Sequence, residues 1–319
     1  MKKSELVELY KKSFDDLDQE VEFFFDNYFL PRNTVTHKIN RKIVSALHLV
    51  TKKMFLRGKT FNFSYVSAAA TLPDLRGKRI MEKVIYKALN LLYARRTPFV
   101  VLSPFSFTYY TKYDFTRIQV NSKPQTAVQQ QFSILNDLRP SFLLSCYEQY
   151  CKNFDGYIIR DLARYTQLLS EWKVSNFTIN SYKLGLTNCY VCLDRLGHLL
   201  DYSGDVSSIY PSLASGLNTP DNWDLMVRIV NVKYLLKHIK YDSCGSYNFY
   251  LTDNFFPLNN GYYKLIVSNS NTKISFSHKE DKNTTFTNLT VEELTKCVFG
   301  NISLTELLKT QKLFVLDKY

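Results

Sequence analysis

The stretch from Tyr65 to Met81 leaves the chain few ways to fold. It reads Tyr-Val-Ser-Ala-Ala-Ala-Thr-Leu-Pro-Asp-Leu-Arg-Gly-Lys-Arg-Ile-Met. The first half has the pattern of a strand, and Pro73 cannot continue a ladder, so the chain must turn there. Arg76-Gly77-Lys78 follows the turn. From Glu82 to Arg95 the apolar residues Val84, Ile85, Ala88, Leu89 and Leu92 recur at helical spacing, which predicts an amphipathic helix. A strand that runs through a tight basic turn into a helix presents unpaired backbone N–H groups and partial positive charge at the helix start. Such an end suits a phosphate, and the small side chains of Ser67, Ala68, Ala69 and Ala70 allow close approach to the strand before it.

Length bounds the rest: 319 residues predict about two domains, or three small ones. Hydrophobic residues make up 45% of the chain, enough for a sizeable core, and no apolar run is long enough to span a bilayer. Met1-Lys2-Lys3-Ser4-Glu5 leads into an amphipathic helix rather than an apolar signal core, so the cytoplasm is the expected compartment. The net charge of +12 is scattered along the chain rather than clustered, which reads as a solvated surface and not as a nucleic-acid footprint. Six cysteines fall at 146, 151, 189, 192, 244 and 297. Cys189 and Cys192 have the gap of half a zinc site, but three residues apart on a strand they face opposite sides. The expectation is therefore buried free thiols, with no metal site.

Along the chain, Leu6 to Tyr28 predicts one or two helices with a wide aromatic face, ended by Pro31. A strand near Val35, the run 42–51, a turn at Arg57-Gly58-Lys59 and the strand 61–71 predict an antiparallel meander. Phe99 to Ser103 is short and wholly apolar, as a buried parallel neighbour of the strand before Pro73 would be. The polar stretch 121–131 reads as an edge strand or connector, and helices and two strands follow between about 138 and 194. A strand from Met226, a helix at 233–240, further strands to about 289 and two final helices complete the chain. His48 lies in a strand and reads best as a core histidine.

Two motifs in the first 115 residues and a set of segments in the last third carry a family resemblance. Ala70-Thr71-Leu72-Pro73-Asp74-Leu75-Arg76-Gly77-Lys78, followed by Ile80-Met81, resembles the coenzyme loop of the GNAT N-acetyltransferases, in the form found in the Eis type. Gly77 takes the first glycine slot, Asp74 stands where Arg or Gln is usual, and Arg79 replaces the second small residue. Tyr109-Tyr110-Thr111-Lys112-Tyr113-Asp114-Phe115 resembles the motif that closes the same domain, with Asp114 in place of a glycine. Leu251 to Asn259, Thr290 to Leu294 and Phe299-Gly300 resemble the sterol-carrier-like domain that ends Eis-type chains. The resemblance implies an α/β (α+β) fold of three parts. These are a GNAT domain at 1–130, a shortened GNAT-like middle domain at 131–222, and a sterol-carrier-like α+β domain at 223–319.

It also implies a chemistry. Acetyl-CoA would be the co-substrate and a primary amine the acceptor, on a polyamine, an aminoglycoside-like molecule or a lysine. Ala69, Ala70 and Thr71 would line the pantetheine, Arg76, Gly77, Lys78, Arg79, Ile80 and Met81 would hold the pyrophosphate, and Ser103 would lie beside the coenzyme arm. Tyr110 would protonate the leaving thiolate, and the terminal carboxylate of Tyr319 would fold back as the base. An α-carboxylate has a pKa of about 3.5, so that role needs burial or a water relay. The family implies a homo-oligomer, a hexamer in its other members. A second reading stays open beside the enzyme: a catalytically silent relative kept as a binding or assembly protein, with Asp74, Arg79, Asp114 and the short middle as its marks.

Overall fold

In the computed structural model, residues 2–118, 132–152, 154, 156–204, 206, 209, 225–241, 244–269 and 271–300 are described. The chain divides into two compact units that are each discontinuous in sequence.

The first unit is built on a mixed sheet. Strands β1 (Thr34–Ile39), β2 (Lys42–Leu56) and β3 (Lys59–Thr71) form the expected antiparallel meander. Both hairpins turn on two residues of positive φ, Asn40-Arg41 and Arg57-Gly58, the backbone that matches the twist of the flanking strands. At Gly58 a Cβ would stand 2.5 Å from the side chain of Lys240, which would have to swing away, so glycine is favoured there chiefly by its φ of +67°. Strand β4 (Phe99–Leu102) lies parallel to β3, as its unbroken apolar sequence predicts.

The next neighbour of β4 is not close in sequence. Strand β11 (Leu225–Ile229) pairs antiparallel with β4, from Met226 opposite Leu102 to Ile229 opposite Phe99. On its other side β11 pairs with β5 (Thr116–Ile118). The order is thus β1-β2-β3-β4-β11-β5, with a strand from the last third of the chain set inside the sheet of the first third. All five residues of β11 are buried, Arg228 among them.

Helix α3 (Ile80–Ala94) covers this sheet. Its stripe of Ile80, Met81, Val84, Ile85, Ala88, Leu89 and Leu92 is buried, and most of it packs with Leu47, Leu49, Val100, Leu102 and Phe256 in one core. Each larger apolar side chain in that stripe contributes roughly 1.5–3 kcal/mol on burial, so the stripe holds the helix to the sheet. Helix α1 (Lys3–Lys11) buries Leu6 and Leu9.

The same unit continues through α7 (Val232–His238) into a second sheet. Its order is β14 (Thr272–Ser277), β13 (Gly261–Val267), β12 (Gly245–Thr252) and β15 (Thr287–Thr290). β15 is parallel to β12 and the other pairs are antiparallel. Helix α8 (Val291–Val298) starts in a capping box: Glu293 N–H donates to Thr290 Oγ1 at 3.1 Å, and Thr290 N–H donates to Glu293 Oε2 at 2.8 Å. The second of the two expected final helices lies outside the described residues.

The second unit holds a four-stranded antiparallel sheet, β10 (Leu199–Ser203), β9 (Thr187–Leu193), β8 (Thr178–Leu184) and β6 (Phe132–Ile134). With it go α2 (Asp18–Asn27), α5 (Pro140–Cys151), the short strand β7 (Gly156–Ile158) and α6 (Leu162–Val174). The amphipathic run 6–28 is therefore two helices, and α2 packs on α6: Gln19 donates to the Val174 carbonyl at 2.6 Å, and Tyr28 hydrogen-bonds Glu171. Periodicity shows an apolar face but not what covers it, so this separation is invisible in the sequence. Helix α6 starts at Leu162, where the Asp161 side chain accepts Arg164 N–H and caps it.

Inside this unit Arg160 is sealed. It pairs with Asp201 at 2.6 Å and 3.1 Å, donates to Tyr190 at 3.0 Å, and lies 4.4 Å from the centre of the Tyr147 ring. Cys189 and Cys192 point to opposite faces of β9, Cys189 into the cluster of Tyr182 and Leu184, Cys192 into that of Tyr165 and Trp172. All six cysteines are free, and five are buried; Cys244 is exposed, where the sequence reading had it buried. Among the described residues no helix is long and apolar enough to cross a membrane.

His48 on β2 is 3% exposed, shares a 2.9 Å hydrogen bond with Thr34 Oγ1 and meets the edge of Phe29. Burial pulls its pKa down to about 4. The folded state therefore keeps His48 neutral where the unfolded chain, near 6.5, takes up a proton, so stability present above pH 6.5 is lost as the pH falls toward 4. The loss expected from this residue is about 3 kcal/mol. Urea unfolding between pH 7 and 4 is expected to show that slope in the wild type and a flatter one in His48→Gln; parallel profiles would show that His48 does not contribute.

Candidate active site

The site begins where β3 and β4 part. They pair only at Ser64 with Val100 and Tyr65 with Val101. Beyond Tyr65, β3 runs on for six residues to Thr71 with no recorded partner on its β4 side among the described residues, which opens a wedge in a buried sheet. The opposite edge of β3 is bulged. Ala46 faces Ala70 and His48 faces Ser67, so Leu47 stands against two residues, and Ala68 takes φ +49°. A left-handed non-glycine residue inside a strand costs on the order of 1–3 kcal/mol and re-aims the residues after it. The bulge falls within the run of three alanines, whose small side chains leave the edge of β3 open to close approach.

Ala69 and Tyr110 come together in the wedge. With Val66, Leu102, Phe115 and side chains of α3 they line an apolar void of about 10 Å³, the size of one water. Ala70 and Thr71 are tied instead toward β2. The Ala70 carbonyl accepts Ser45 Oγ at 2.9 Å, and the Thr71 hydroxyl meets the same oxygen at 2.9 Å. Ser103 is exposed just past the end of β4.

After Thr71 the chain makes a single 3-10 turn, Pro73–Leu75, and Arg76 folds back so that its Nε donates to the Thr71 carbonyl at 3.2 Å. Gly77 has φ +77°, and a Cβ there would meet nothing within 4 Å: the space in front of this backbone is open. Arg79 is left-handed too, at φ +52°, in the slot where the family motif has a small residue. It is the N-cap of α3, and its side chain does not cap, so the first N–H groups of the helix, those of Ile80 and Met81 included, face outward without a side-chain acceptor from that residue. Arg76, Lys78 and Arg79 are exposed around this helix start, and Asp74 is exposed on the turn before it.

Tyr110 sits on the short helix α4 (Phe107–Thr111), capped by Ser106. It is 5% exposed, with Tyr109 at 5.1 Å, Phe105 at 5.7 Å and Phe115 at 5.9 Å, all edge-on. Burial raises its phenol well above the usual tyrosine value, with smaller contributions from Tyr109 and Tyr65. A phenol so placed keeps its proton at neutral pH, as an ordinary tyrosine does, and meets a ligand as a hydrogen-bond donor rather than as a base.

Asp114 follows α4 at φ +57°, so the turn that a glycine makes in the family motif survives here. Sequence reasoning missed what its carboxylate does: Oδ2 accepts Phe255 N–H at 3.1 Å and lies 3.8 Å from Arg228 Nη1. Its charge in a glycine slot was the one signal available. Tyr319 lies outside the described residues. Among those described, no group of three His, Cys, Asp or Glu could hold a metal ion.

The comparisons decide the fold. Residues 2–118 match the acetyltransferase (GNAT) domain model. The chain carries a GNAT acetyltransferase domain. It is an acyltransferase by that domain, and residues 232–315 match the sterol carrier protein domain. No curated protein sequence matches the chain. Among solved structures, a GCN5-related N-acetyltransferase from Anabaena variabilis superposes with a TM-score of 0.66 at 17% identity, over 91% of this chain and 86% of that one. A probable N-acyltransferase from Enterococcus faecalis does so with a TM-score of 0.66 at 12% identity, over 99% and 96%. Eis1 from Mycobacterium abscessus gives 0.65 at 12% identity, over 95% and 88%. At such identities the likeness is one of fold.

GNAT domains bind acetyl-CoA, and the residues present fit it. The open face of Gly77 and the uncapped start of α3 would hold the pyrophosphate, and the unpaired edge of β3 would take the pantetheine arm. Gly77→Ala is expected to lower stability by roughly 1–2 kcal/mol, the cost of a left-handed alanine, with no steric term because the space is open. Thermal unfolding measures it, and a loss above ~3 kcal/mol would mean that the loop is packed rather than open.

Proposed function

We propose that the chain is an acetyl-CoA-dependent N-acetyltransferase of the Eis type, acting on a primary amine of a polyamine, an aminoglycoside-like molecule or a lysine side chain. The observation that carries this reading is the buried, proton-retaining phenol of Tyr110 in the wedge where β3 leaves β4. Acyl transfer from a thioester needs three things there: a place for the carbonyl where negative charge develops, an acid for the departing thiolate and a base for the amine. The edge of β3 at Ala69 and Ala70 supplies backbone groups, Arg76 to Met81 hold the phosphates, and Tyr110 is the acid. The carboxylate of Tyr319 is the base in this reading.

The chain is organised in this proposal as a GNAT domain at 1–130, a shortened GNAT-like middle at 131–222 and a sterol-carrier-like end at 223–319. It works in the cytoplasm as a homo-oligomer. The middle unit has a single four-stranded sheet among the described residues, which supports the shortened form. The competing reading, a silent relative with a binding or assembly role, parts from this one at the first step, coenzyme binding.

Calorimetric titration with acetyl-CoA is expected to show binding at micromolar concentration, and a flat titration at high micromolar coenzyme would end the enzyme reading. With an amine panel followed by thiol release, Tyr110→Phe is expected to lower kcat by roughly 10²- to 10⁴-fold while leaving coenzyme affinity unchanged. Removal of Lys318 and Tyr319 is expected to abolish transfer without changing the melting temperature; retained turnover would take the terminal carboxylate out of the mechanism.

A further inference from the structure

The acid helix α4 is fastened from a point about 140 residues further along the chain. Two amides that flank Asp114 close on a single atom: Tyr113 N–H donates to the Tyr110 carbonyl at 3.0 Å, and Phe115 N–H donates to the same oxygen at 3.3 Å. The backbone of Tyr110 is therefore set by the turn that Asp114 makes. The side chain of Asp114 leaves that turn and accepts Phe255 N–H at 3.1 Å. Around this bond the Phe255 ring lies 4.8 Å from Tyr113, and Tyr113 is 5.7 Å from Tyr109, which in turn abuts Tyr110.

The far side of the clamp is itself immobilised. Arg228 is wholly buried; its Nη2 donates to Asp253 Oδ1 at 2.6 Å, and its Nη1 faces Asp114 Oδ2 at 3.8 Å. Asp253 also accepts Phe256 N–H at 2.8 Å and Asn259 Nδ2 at 2.9 Å, so the segment carrying Phe255 is fixed on both sides of it. A glycine at position 114, as the family motif has, would make the turn but could bind neither Phe255 nor Arg228.

We infer that Asp114 is a positioning residue: by binding Phe255 N–H and facing Arg228, it lets the C-terminal segment hold the turn that places Tyr110. The kinetic part of this inference rests on the acetyltransferase reading; the structural part does not.

Hydrogen exchange and turnover test the two parts separately. In Asp114→Gly, which keeps the left-handed turn, the amides of Tyr113 and Phe115 are expected to exchange at least 10-fold faster, with those of β2 unchanged. Asp114→Ser, one atom too short to reach Phe255, is expected to do the same and stands in if the glycine variant does not fold. Asp114→Asn keeps an acceptor and is expected to restore most of the protection. Unchanged exchange in the glycine and serine variants, or equal exchange in the asparagine and glycine variants, would overturn the clamp whether or not the protein transfers acetyl groups. In turnover, Asp114→Gly is expected to lower kcat about 10- to 100-fold with the KM for acetyl-CoA unchanged. In a Tyr110→Phe background it is expected to add less than 3-fold, because it acts through that phenol. Equal losses in both backgrounds would reduce Asp114 to general stability. A wild type that exchanges as expected but transfers nothing would remove the enzyme reading and leave the clamp standing.

Discussion

A guanidinium wholly inside a sheet sets the terms for the first unit. Arg228 has no route to solvent, and burial alone pulls its pKa down while Asp253 and Asp114 push it back up. Burial likewise raises the Asp253 carboxyl, against Arg228, Asn259 Nδ2 and Phe256 N–H. Removing one member of such a pair costs on the order of 3–5 kcal/mol because the other charge is left alone. The geometry around Arg228 is therefore expensive to change: β11 must stay between β4 and β5, and the 253–259 segment must stay against the end of α4. Arg228 Nε makes no hydrogen bond in the structure, so electrostatics rather than full hydrogen-bond satisfaction carries the pair.

The wedge is possible because of that rigidity. A sheet whose two central strands separate exposes backbone groups that would otherwise be paired, and it stays open only if each strand is held by something else. Strand β3 is held by β2 along almost its whole length, and β4 by β11. The left-handed Ala68, Gly77 and Arg79 are local departures from regular backbone, and all three lie on the path from the wedge to the first turn of α3. These departures sit where a ligand would be met, while others, such as Asn40-Arg41 and Arg57, make the hairpin turns of the same sheet.

What could be read from the sequence follows from how local each cause is. The β3-turn-α3 junction was legible because Pro73, Gly77 and the apolar stripe of α3 act over a few residues. The short helix that carries Tyr110 and the turn after it were legible because they form a contiguous motif, and the opposed Cys189 and Cys192 because strand alternation alone separates them. The bulge at Ala68 was not, since nothing in three successive alanines says which one takes positive φ. Asp114 was legible as a turn-former and illegible as a clamp: Arg228 is brought to it by the insertion of β11 between β4 and β5, and Phe255 by the segment that Asp253 ties to Arg228. The assignment of α2 to the second unit failed to appear for the same reason, as its partner α6 is about 140 residues away.

The place of β11 also has a meaning in the order of synthesis. Among the described residues β5 is bonded to β11 alone, and β4 has β11 along one whole edge. When residue 118 leaves the ribosome, the strand that will complete the sheet is still about 107 residues from being made, a delay of roughly 5–20 s at ordinary elongation rates. During that interval β4 presents an open apolar edge and β5 has no ladder to join, the situation in which nascent chains aggregate or recruit holding chaperones. The catalytic half of this protein is thus finished late, by a strand that arrives with the C-terminal part, and a fragment ending near residue 118 is an unfinished sheet rather than a small enzyme.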